Sequence, residues 1–487
     1  MRKAYPLDSQ SLKEVVGLRD YIKRNFFQAR SPFLSEGVVR LVLRRIVLIL
    51  VILLERMFGE KLLIENLDKE LFSFRLSSLN LLRYLIGTGQ ANSWECEASN
   101  ISGKTTFACK VTSERMVVDG RVVCEEDVLS GSGTNIDLSN ALNVACAELV
   151  ERRVASNWER QKIIRSSVRR LEDLGINHWS QSHSRPLSDK ERELEVGWVH
   201  YQSLTGHGTI LVPASMTYLF YANEHYDENI FFDPNSNGLA AHTDGDRATL
   251  AALYEIIERD GFLLYWLTKT PPRRINKASI KDDEVQMFLD TLDKRAIDVE
   301  LLDCSSDLGV PVIVGVLIDR KGKSVHVDAA ASMSVSTAVT KVVTDALRWN
   351  PDMYDKSPTN MNPAELFSIP ERRRMWYSDP LRFKIQDFLV GEEIDYQSYV
   401  SKFSTTLPER ELVVLLQKFS ALKKAVYVHS FRNELTEISG LSVVRAFVPS
   451  LLHMYFIERN KPVLSDRLHS FGPIDATDIN DVPHPFV

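Results

Sequence analysis

A short turn of small residues, followed by a helix that carries two glutamates one turn apart, constrains this sequence more than any other feature. The clearer copy runs from Ser236 to Asp260 and places Glu255 and Glu258 three positions apart, hence on one face of the helix. Taken singly, such a pair is typical of a solvated charged face. If the face is buried, the two carboxylates need cations, and oxygen ligands of this kind suit magnesium bound to phosphates.

A second copy of the pattern weakens the solvated-face interpretation. The small residues Gly131 to Thr134 precede Glu148 and Glu151, which are again three positions apart and followed by Arg152. The apolar residues around them recur with a helical period. Two helices of this kind in one chain predict the two halves of a site for a polyanion and magnesium.

In this order and spacing, the two motifs resemble the signature of the YcaO family. Asn237 and its small neighbours stand eighteen positions before Glu255, and the earlier motif is similar to the family's first one. The resemblance covers about residues 75–487. It implies an α+β fold of the YcaO type, in which β-sheets are flanked by helices that carry an ATP and Mg²⁺ site. We also expect the backbone N–H groups around Gly238 to approach phosphate oxygens.

The sequence departs from the family pattern at several positions. A third helix is predicted from Ser334 to Arg348, where the family usually carries a Glu and, three residues on, a Gln. Here these positions are Asp345 and Arg348, so that Arg348 either contacts phosphate or marks a weakened site. His242 replaces a usual glycine, and Val144 a frequent serine.

Two segments near the end of the chain also resemble the family. Residues 440–449 match its late apolar strand, in which Arg445 is either buried against an anion or exposed on a surface strand. The chain ends with Pro483, Pro485 and Val487. A terminal Pro-x-Pro is commonly a disordered tail, but this one resembles the proline-containing tail that enters the active site in the azoline-forming branch.

The resemblance to that branch implies an ATP-dependent peptide cyclodehydratase. In such enzymes a Cys, Ser or Thr side chain of a ribosomally synthesised precursor attacks the preceding backbone amide carbon. ATP phosphorylates the resulting oxygen, and loss of phosphate leaves a thiazoline or oxazoline. The product class is an azole-containing, bacteriocin- or microcin-like antibiotic peptide. Three alternatives stay open: thioamidation or macroamidine formation at the same ATP site, a non-catalytic ATP-binding scaffold, and a membrane-recruited subunit.

The resemblance assigns roles to fourteen residues. The catalytic candidates form the tail, the nucleotide or phosphate candidates are mostly polar or cationic, and the metal candidates are the paired glutamates. They are, in that order, Val487, Pro485 and Pro483; Ser236, Asn237, Arg152, Arg259, Asp345, Arg348 and Arg445; and Glu148, Glu151, Glu255 and Glu258.

The expected partners also follow from the resemblance. They are the precursor peptide, a leader-binding protein that resembles a ubiquitin-activating enzyme, and in some systems a flavin-dependent azoline dehydrogenase. A homo- or hetero-oligomer is expected. A net charge of −6 argues against a nucleic-acid surface, which would carry a basic excess.

The first 74 residues form a separate, mainly helical extension in this interpretation. Ile46 to Leu54 is a run of nine aliphatic residues, too short to span a bilayer, and no small-residue cleavage site of a signal peptide follows it. We expect a buried or partner-docking helix, with a basic membrane-surface helix as the alternative. Five cysteines without a CxxC pair indicate neither a disulfide framework nor a zinc site, which favours a cytoplasmic protein.

Local patterns predict the elements between these motifs. The first glutamate helix begins after Asn135 or Asp137, and residues 160–195 are charged and predicted to form a surface excursion. The predicted strands are Thr105–Val111, Met116–Val123 with a hairpin at Asp119-Gly120, Val196–His200, Thr209–Pro213, Leu219–Tyr221, Val299–Cys304, Val312–Ile318, Ser324–Asp328 and Ala425–His429.

Overall fold

A computed structural model describes residues 76–101, 104–113, 117–118, 121–122, 129–158, 162–180, 186–206, 208–221, 235–321, 324–351, 369–378, 380–403, 408–472 and 478–486. The chain divides into two compact units, residues 1–149 and 150–487. The predicted N-terminal extension and its aliphatic run lie outside the described residues, so the expected boundary at residue 74 stays a prediction. Within the described ranges, no helix has the length and apolar character needed to cross a membrane.

The first unit contains two small antiparallel sheets. Strands β1, β2 and β5 pair in that order, and the short strands β3 and β4 pair with each other, which confirms the predicted hairpin. The elements are α1 (Leu76–Gly87), β1 (Ser93–Ile101), β2 (Lys104–Thr112), β3 (Val117–Val118), β4 (Arg121–Val122), β5 (Ser130–Asn135) and α2 (Leu138–Ala155), the last of which ends in the second unit. The Asp137 carboxylate caps α2 by accepting from the Asn140 N–H (2.9 Å), as its sequence predicts.

The second unit contains two larger sheets. The first has the order β6-β7-β15-β16-β9 with β8 paired to β7, and the second has the order β13-β12-β11-β10-β14. The strands are β6 (Ile164–Ser166), β7 (Val196–Ser203), β8 (Thr209–Pro213), β9 (Leu239–His242), β10 (Arg273–Asn276), β11 (Ile297–Asp303), β12 (Val312–Asp319), β13 (Val325–Ala331), β14 (Glu393–Asp395), β15 (Tyr427–Phe431) and β16 (Ser442–Phe447).

Helix α6 (Gly245–Leu267) packs against both sheets of the second unit, contacting β9 and β16 on one side and β12 and β13 on the other. It follows α3 (Val168–Asp173), α4 (Asp189–Arg192) and α5 (Ala214–Thr217). The later helices are α7 (Asp283–Lys294), α8 (Val335–Ala346), α9 (Ile369–Ser378), α10 (Tyr396–Val400), α11 (Glu411–Ala421), α12 (Glu434–Ser439) and α13 (Asp466–Phe471). The mixed helix and sheet architecture confirms the predicted α+β class.

Two local predictions were wrong. Leu219 and Phe220 form a turn and Tyr221 is helical, so this segment is not a strand; α5 directly follows β8, and Phe220 adopts a positive φ of 62°. The segment from Gly131 to Thr134 is part of β5 rather than a turn. The charged stretch 160–195 contains a strand and two helices, and it buries Val168, Leu171 and Trp179 although most of its described residues are exposed or half-buried.

The expectation of no disulfide was also wrong. Cys96 on β1 and Cys109 on β2 are bonded, with their Cα atoms 4.2 Å apart. The antiparallel register places these two residues directly opposite each other, which brings the Cα atoms of a strand pair close. A spacing of thirteen residues does not reveal that pairing until the strands are aligned.

Candidate functional site: two glutamate motifs and a buried C-terminal segment

The first glutamate of the earlier motif binds the strand that precedes its helix. The Glu148 carboxylate on α2 accepts hydrogen bonds from the Ser132 N–H (2.6 Å) and hydroxyl (3.2 Å). Glycines on either side of Ser132 make this contact possible. A Cβ at Gly131 would lie 2.0 Å from the Ala145 carbonyl oxygen, and one at Gly133 would lie 2.1 Å from the Ala141 carbonyl oxygen. The small residues therefore let the strand approach the helix backbone.

The later motif repeats this arrangement on its own helix. The Glu255 carboxylate accepts from the Gly238 N–H (2.8 Å). Gly238 has a φ of 76°, and a Cβ there would lie 2.7 Å from the Ala446 carbonyl oxygen, so only glycine fits without strain. In both motifs, then, the first glutamate is bound to a backbone N–H of the small-residue segment sixteen or seventeen positions earlier.

The turn from Ser236 to Gly238 differs from the expected phosphate cradle. The Gly238 N–H is directed at Glu255, and the Asn237 N–H donates to the Asn235 side-chain oxygen (2.9 Å). Both amides are therefore satisfied within the protein. The Asn237 side chain is buried, and its oxygen has no hydrogen-bond partner among the described residues. An unpartnered buried acceptor is costly, so a cation or a donor from a ligand would stabilise this residue.

The second glutamate of the later motif is the most buried carboxylate of the candidate set in the second unit. Glu258 is 4% exposed and pairs with Arg259 (2.8 Å), which also lies 3.6 Å from Glu255. Burial raises the pKa of Glu258, whereas Arg259 and Lys341 oppose that rise. A bound divalent cation would favour the charged form in the same way.

Arg445 is buried rather than on an exposed strand surface. Its guanidinium donates to the main-chain oxygens of Thr217 (3.2 Å) and Asn235 (2.7 Å). Burial lowers the pKa of Arg445, while Tyr201, Glu255 and Glu151 oppose that effect. Through Asn235, this arginine holds the turn that carries Asn237.

The positions that depart from the family pattern lie at the end of α8. Arg348 pairs with Asp345 (2.9 Å), and the side chains are 36% and 24% exposed. Asp345 and Arg348 therefore form a half-buried ion pair. Glu151 and Arg152, at the end of α2, are half-buried as well.

Sequence reasoning missed a second polar pair, His326 and Asp328 on β13, which lie 3.3 Å apart. Burial raises the pKa of Asp328, but His326, Arg348 and Arg259 outweigh it and leave the pKa lowered. The signal was the alternation of these two polar residues with the buried Val325 and Val327, which places them on one face of the strand.

The C-terminal segment is buried from Pro483 to Phe486. Phe486 forms a parallel bridge with Val327 on β13, and its ring lies under the Arg259 guanidinium at 3.8 Å. The predicted tail therefore runs to the second glutamate motif instead of extending into solvent. Val487 lies outside the described residues.

No group of three or more His, Cys, Asp or Glu side chains forms a ready metal cage in the described part of the chain. Magnesium bound to a nucleotide needs only one or two protein carboxylates, because phosphates and water complete its shell. Glu258, Glu255 and the unpartnered oxygen of Asn237 are hard oxygen ligands on one helix and its preceding turn. These residues therefore fit an Mg²⁺–nucleotide site.

Comparison with protein-family models decides the family. Residues 131–452 match the model described as YcaO cyclodehydratase, ATP- and Mg²⁺-binding. The chain belongs to the YcaO family. This match confirms the family predicted from the motifs, and it includes every candidate site residue except the three in the tail.

A curated relative of this YcaO chain is an uncharacterised protein of Methanothermobacter thermautotrophicus. It is 25% identical over 275 residues, which are 54% of this chain and 67% of the relative.

Solved structures share the fold. A heterocyclase in complex with substrate and cofactor superposes with a TM-score of 0.60 at 16% identity, over 78% of this chain and 53% of its own. YcaO from Methanopyrus kandleri, bound with AMPPCP and Mg²⁺, has a TM-score of 0.55 at 15% identity, over 77% and 91% of the two chains. The E. coli microcin synthetase McbBCD complex gives 0.50 at 15% identity, over 74% and 89%. This chain thus spans about half the length of the heterocyclase that was solved with substrate and cofactor.

Proposed function

We propose that this YcaO protein is an ATP-dependent cyclodehydratase. It converts Cys, Ser or Thr residues of a ribosomally synthesised precursor into thiazolines or oxazolines, in the biosynthesis of an azole-containing antibiotic peptide. The observation that carries this proposal is the burial of the proline-spaced C-terminal segment against Arg259 of the second glutamate motif. A tail held beside the proposed nucleotide site is what the azoline-forming branch requires and what the other reactions of the family do not.

In this proposal the second motif binds the nucleotide and its metal. Glu255 and Glu258 are magnesium ligands, and Ser236, Asn237 and Arg259 contact the nucleotide. Bound ATP with Mg²⁺ would supply the phosphoryl group that makes the amide oxygen a good leaving group. The protein's own task is to orient the reactants and to neutralise charge with preorganised groups. The buried ion pair of Glu258 and Arg259 is such a group, and it supports the roles proposed for these two residues.

Further residues complete the proposed site. Glu148 and Glu151 of the first motif are additional magnesium ligands, and Asp345 at the end of α8 is a further candidate ligand. Arg152 at the end of α2 and Arg348 after α8 contact phosphates. Arg445 stabilises the turn of the proposed site by donating a hydrogen bond to the main-chain carbonyl of Asn235.

The tail provides the last catalytic group in this proposal. Pro483 and Pro485 restrict the chain to an extended path at a low entropic cost, and the Val487 carboxylate positions or deprotonates the substrate. A separate leader-binding protein that resembles a ubiquitin-activating enzyme, and in some systems a flavin-dependent azoline dehydrogenase, would complete a cytoplasmic complex of homo- or hetero-oligomeric form. The fold shared with the McbBCD complex supports assembly with partners, and residues 1–74 would dock one of them.

The test is mass spectrometry of a candidate precursor incubated with this protein, its leader-binding partner, ATP and Mg²⁺. The full chain is compared with a chain that ends at Val482. We expect the loss of one water per ring with the full chain only. ATP binding without any mass change would overturn the proposal in favour of a scaffold. Replacement of oxygen by sulfur in the presence of a sulfur donor would instead indicate thioamidation.

A further inference from the structure

The C-terminal segment is bound by a row of donors aimed at its main chain. The indole N–H of Trp266 donates to the Val482 carbonyl (3.2 Å), that of Trp376 to the Pro483 carbonyl (3.2 Å), and the Arg372 guanidinium to the His484 carbonyl (3.2 Å). Prolines lack an N–H, so such a segment offers mainly acceptors. The groove on α6 and α9 supplies the matching donors. These contacts define the path of the segment, but they do not depend on which side chains it carries.

The His484 side chain supplies the sequence-specific contact. It is completely buried, its Nε2 lies 2.6 Å from the Tyr455 carbonyl oxygen, and its ring packs edge-on against the rings of Tyr455 and Phe262. The Tyr455 carbonyl can only accept, so Nε2 carries the proton. The pocket therefore fits a flat ring with one donor. A shift of the segment by one residue would place a proline ring there and lose the donor.

Arg372 connects the wall of this pocket to the segment. It is completely buried on α9, and it donates to the Glu458 carboxylate (2.8 Å) and to the Phe456 carbonyl (2.7 Å) as well as to His484. Lys461 lies 3.2 Å from the same glutamate. Because Glu458 balances its charge, Arg372 can stay buried in a fixed orientation. This side chain therefore holds the pocket wall and the segment together.

We propose that the groove formed by Trp266, Trp376, Arg372 and Tyr455 is a receptor that reads the register of the chain's own C-terminus. His484 is its anchor, and Arg372 is the positioning residue that holds the anchor in place. The binding of the segment in this groove does not depend on the proposed function; only its effect on ring formation rests on that proposal. An extended proline-rich chain advances about 3 Å per residue, so a slip of one position would displace the whole segment by that distance and, under the proposed function, misplace the catalytic group that the tail carries.

The test measures tail docking directly and needs no substrate. Full-length protein is treated with carboxypeptidase Y below its melting temperature, and intact mass reports the removal of Phe486, which is buried in the docked state. The anchor variant His484→Phe keeps an aromatic ring but loses the donor. Arg372→Gln removes the guanidinium that donates to both the His484 carbonyl and the Glu458 carboxylate. Loss of a buried or charge-assisted hydrogen bond predicts roughly tenfold or faster removal of Phe486 in each.

Control variants keep the proposal falsifiable if Arg372→Gln folds poorly. Trp376→Phe preserves the aromatic packing and removes only the donor to Pro483, so we expect a smaller acceleration at an unchanged melting temperature. Arg374→Gln alters an exposed arginine of the same helix and should be trimmed like the wild type. If His484→Phe and Trp376→Phe lose Phe486 at the wild-type rate, the receptor does not exist.

The outcomes also separate this inference from the proposed function. Accelerated trimming in the variants, together with a wild-type protein that forms no rings, would support the receptor and reject the cyclodehydratase. Tail-dependent ring formation by the wild type, together with wild-type trimming rates in the variants, would support the cyclodehydratase and reject the receptor. A further variant, His484→Gln, keeps a side-chain N–H donor without the ring. Slower trimming of His484→Gln than of His484→Phe would assign the protection to the donor and exclude an unrelated folding defect.

Discussion

The guanidinium of Arg259 lies over the ring of Phe486, with its central carbon 3.8 Å from the ring centroid. The same guanidinium pairs with Glu258. One side chain thus contacts both the candidate metal ligand and the penultimate residue of the chain. The tail and the second glutamate motif therefore share one side chain, because Arg259 can move away from neither without losing a contact.

Replacing Phe486 by Leu should slow ring formation. A partly desolvated cation–π contact is worth about 1–2 kcal/mol, so we expect a roughly five- to thirtyfold lower rate at about unchanged ATP affinity. Initial rates from mass spectrometry of the precursor would measure this. Phe486→Tyr is the matched control, since it keeps an aromatic face, and an equal loss in both variants would contradict the cation–π explanation.

Replacing Gly238 by Ala should lower stability more than replacing Gly440 by Ala. Both glycines have a positive φ, of 76° and 67°, which costs a substituted residue about 1 kcal/mol. A Cβ at Gly238 would also lie 2.7 Å from the Ala446 carbonyl oxygen, whereas no atom of the described residues lies within 4 Å at Gly440. We expect a difference of about 1–3 kcal/mol in the free energy of unfolding, measured by urea titration. Equal losses would show that the backbone relaxes at Gly238.

Replacing Arg445 by Met should destabilise the protein and weaken nucleotide binding. The change leaves the buried carbonyl oxygens of Thr217 and Asn235 without these donors, which should cost about 2–4 kcal/mol in total. Thermal unfolding and ATP titration would report the two effects. Arg445→Lys can satisfy one carbonyl at a time and should be intermediate. An unaltered ATP affinity in a folded Met variant would show that Asn235 does not transmit the change to the turn.

Tail docking should weaken in mild acid. Burial, and then Arg372, Lys461 and Arg259, hold the pKa of His484 well below its usual value, although the hydrogen bond to Tyr455 opposes them. Glu458 is the anionic group in that surrounding network. An undocked tail exposes a histidine with a pKa of about 6.5. The undocked state therefore binds more protons, and docking loses up to about 1.4 kcal/mol per pH unit below that value.

The pH effect can be measured as the rate at which carboxypeptidase Y removes Phe486 at neutral pH and in mild acid. His484→Phe corrects for the pH dependence of the protease itself, because that variant has no titrating anchor. The ratio of wild-type to variant rates should rise on acidification by up to about tenfold per pH unit. A constant ratio would mean that the imidazole is not released when it is protonated.

Short-range patterns in the sequence predicted most of the strands and the three helices that carry candidate site residues. Helix α2 begins after Asp137 and helix α8 after Ser334, close to where the sequence predicts their starts, and nearly every predicted strand is present within a few residues. The paired glutamates also predicted the family, because the order and spacing of these residues along the chain can be read directly.

Long-range contacts could not be predicted in this way. The disulfide depends on which strands pair, and the partners of Arg445 lie 228 and 210 residues earlier in the chain. The same holds for the side chains that donate to the C-terminal segment. Trp376 stands 107 residues before Pro483, and Arg372 stands 112 residues before His484. Nothing in the local composition around Arg372 or Trp376 indicates a ligand for the terminus.

The sequence by itself determined the three helices that carry candidate site residues, most of the strands and the two glutamate motifs, since each depends on residues close to one another along the chain. Only the tertiary structure decided that Gly238 donates to Glu255, that Arg445 is buried beneath the turn, and that the C-terminus is bound rather than free. The physical reason is that hydrogen-bond partners and burial are properties of distance in space. A linear pattern contains that information only where the chain folds back locally.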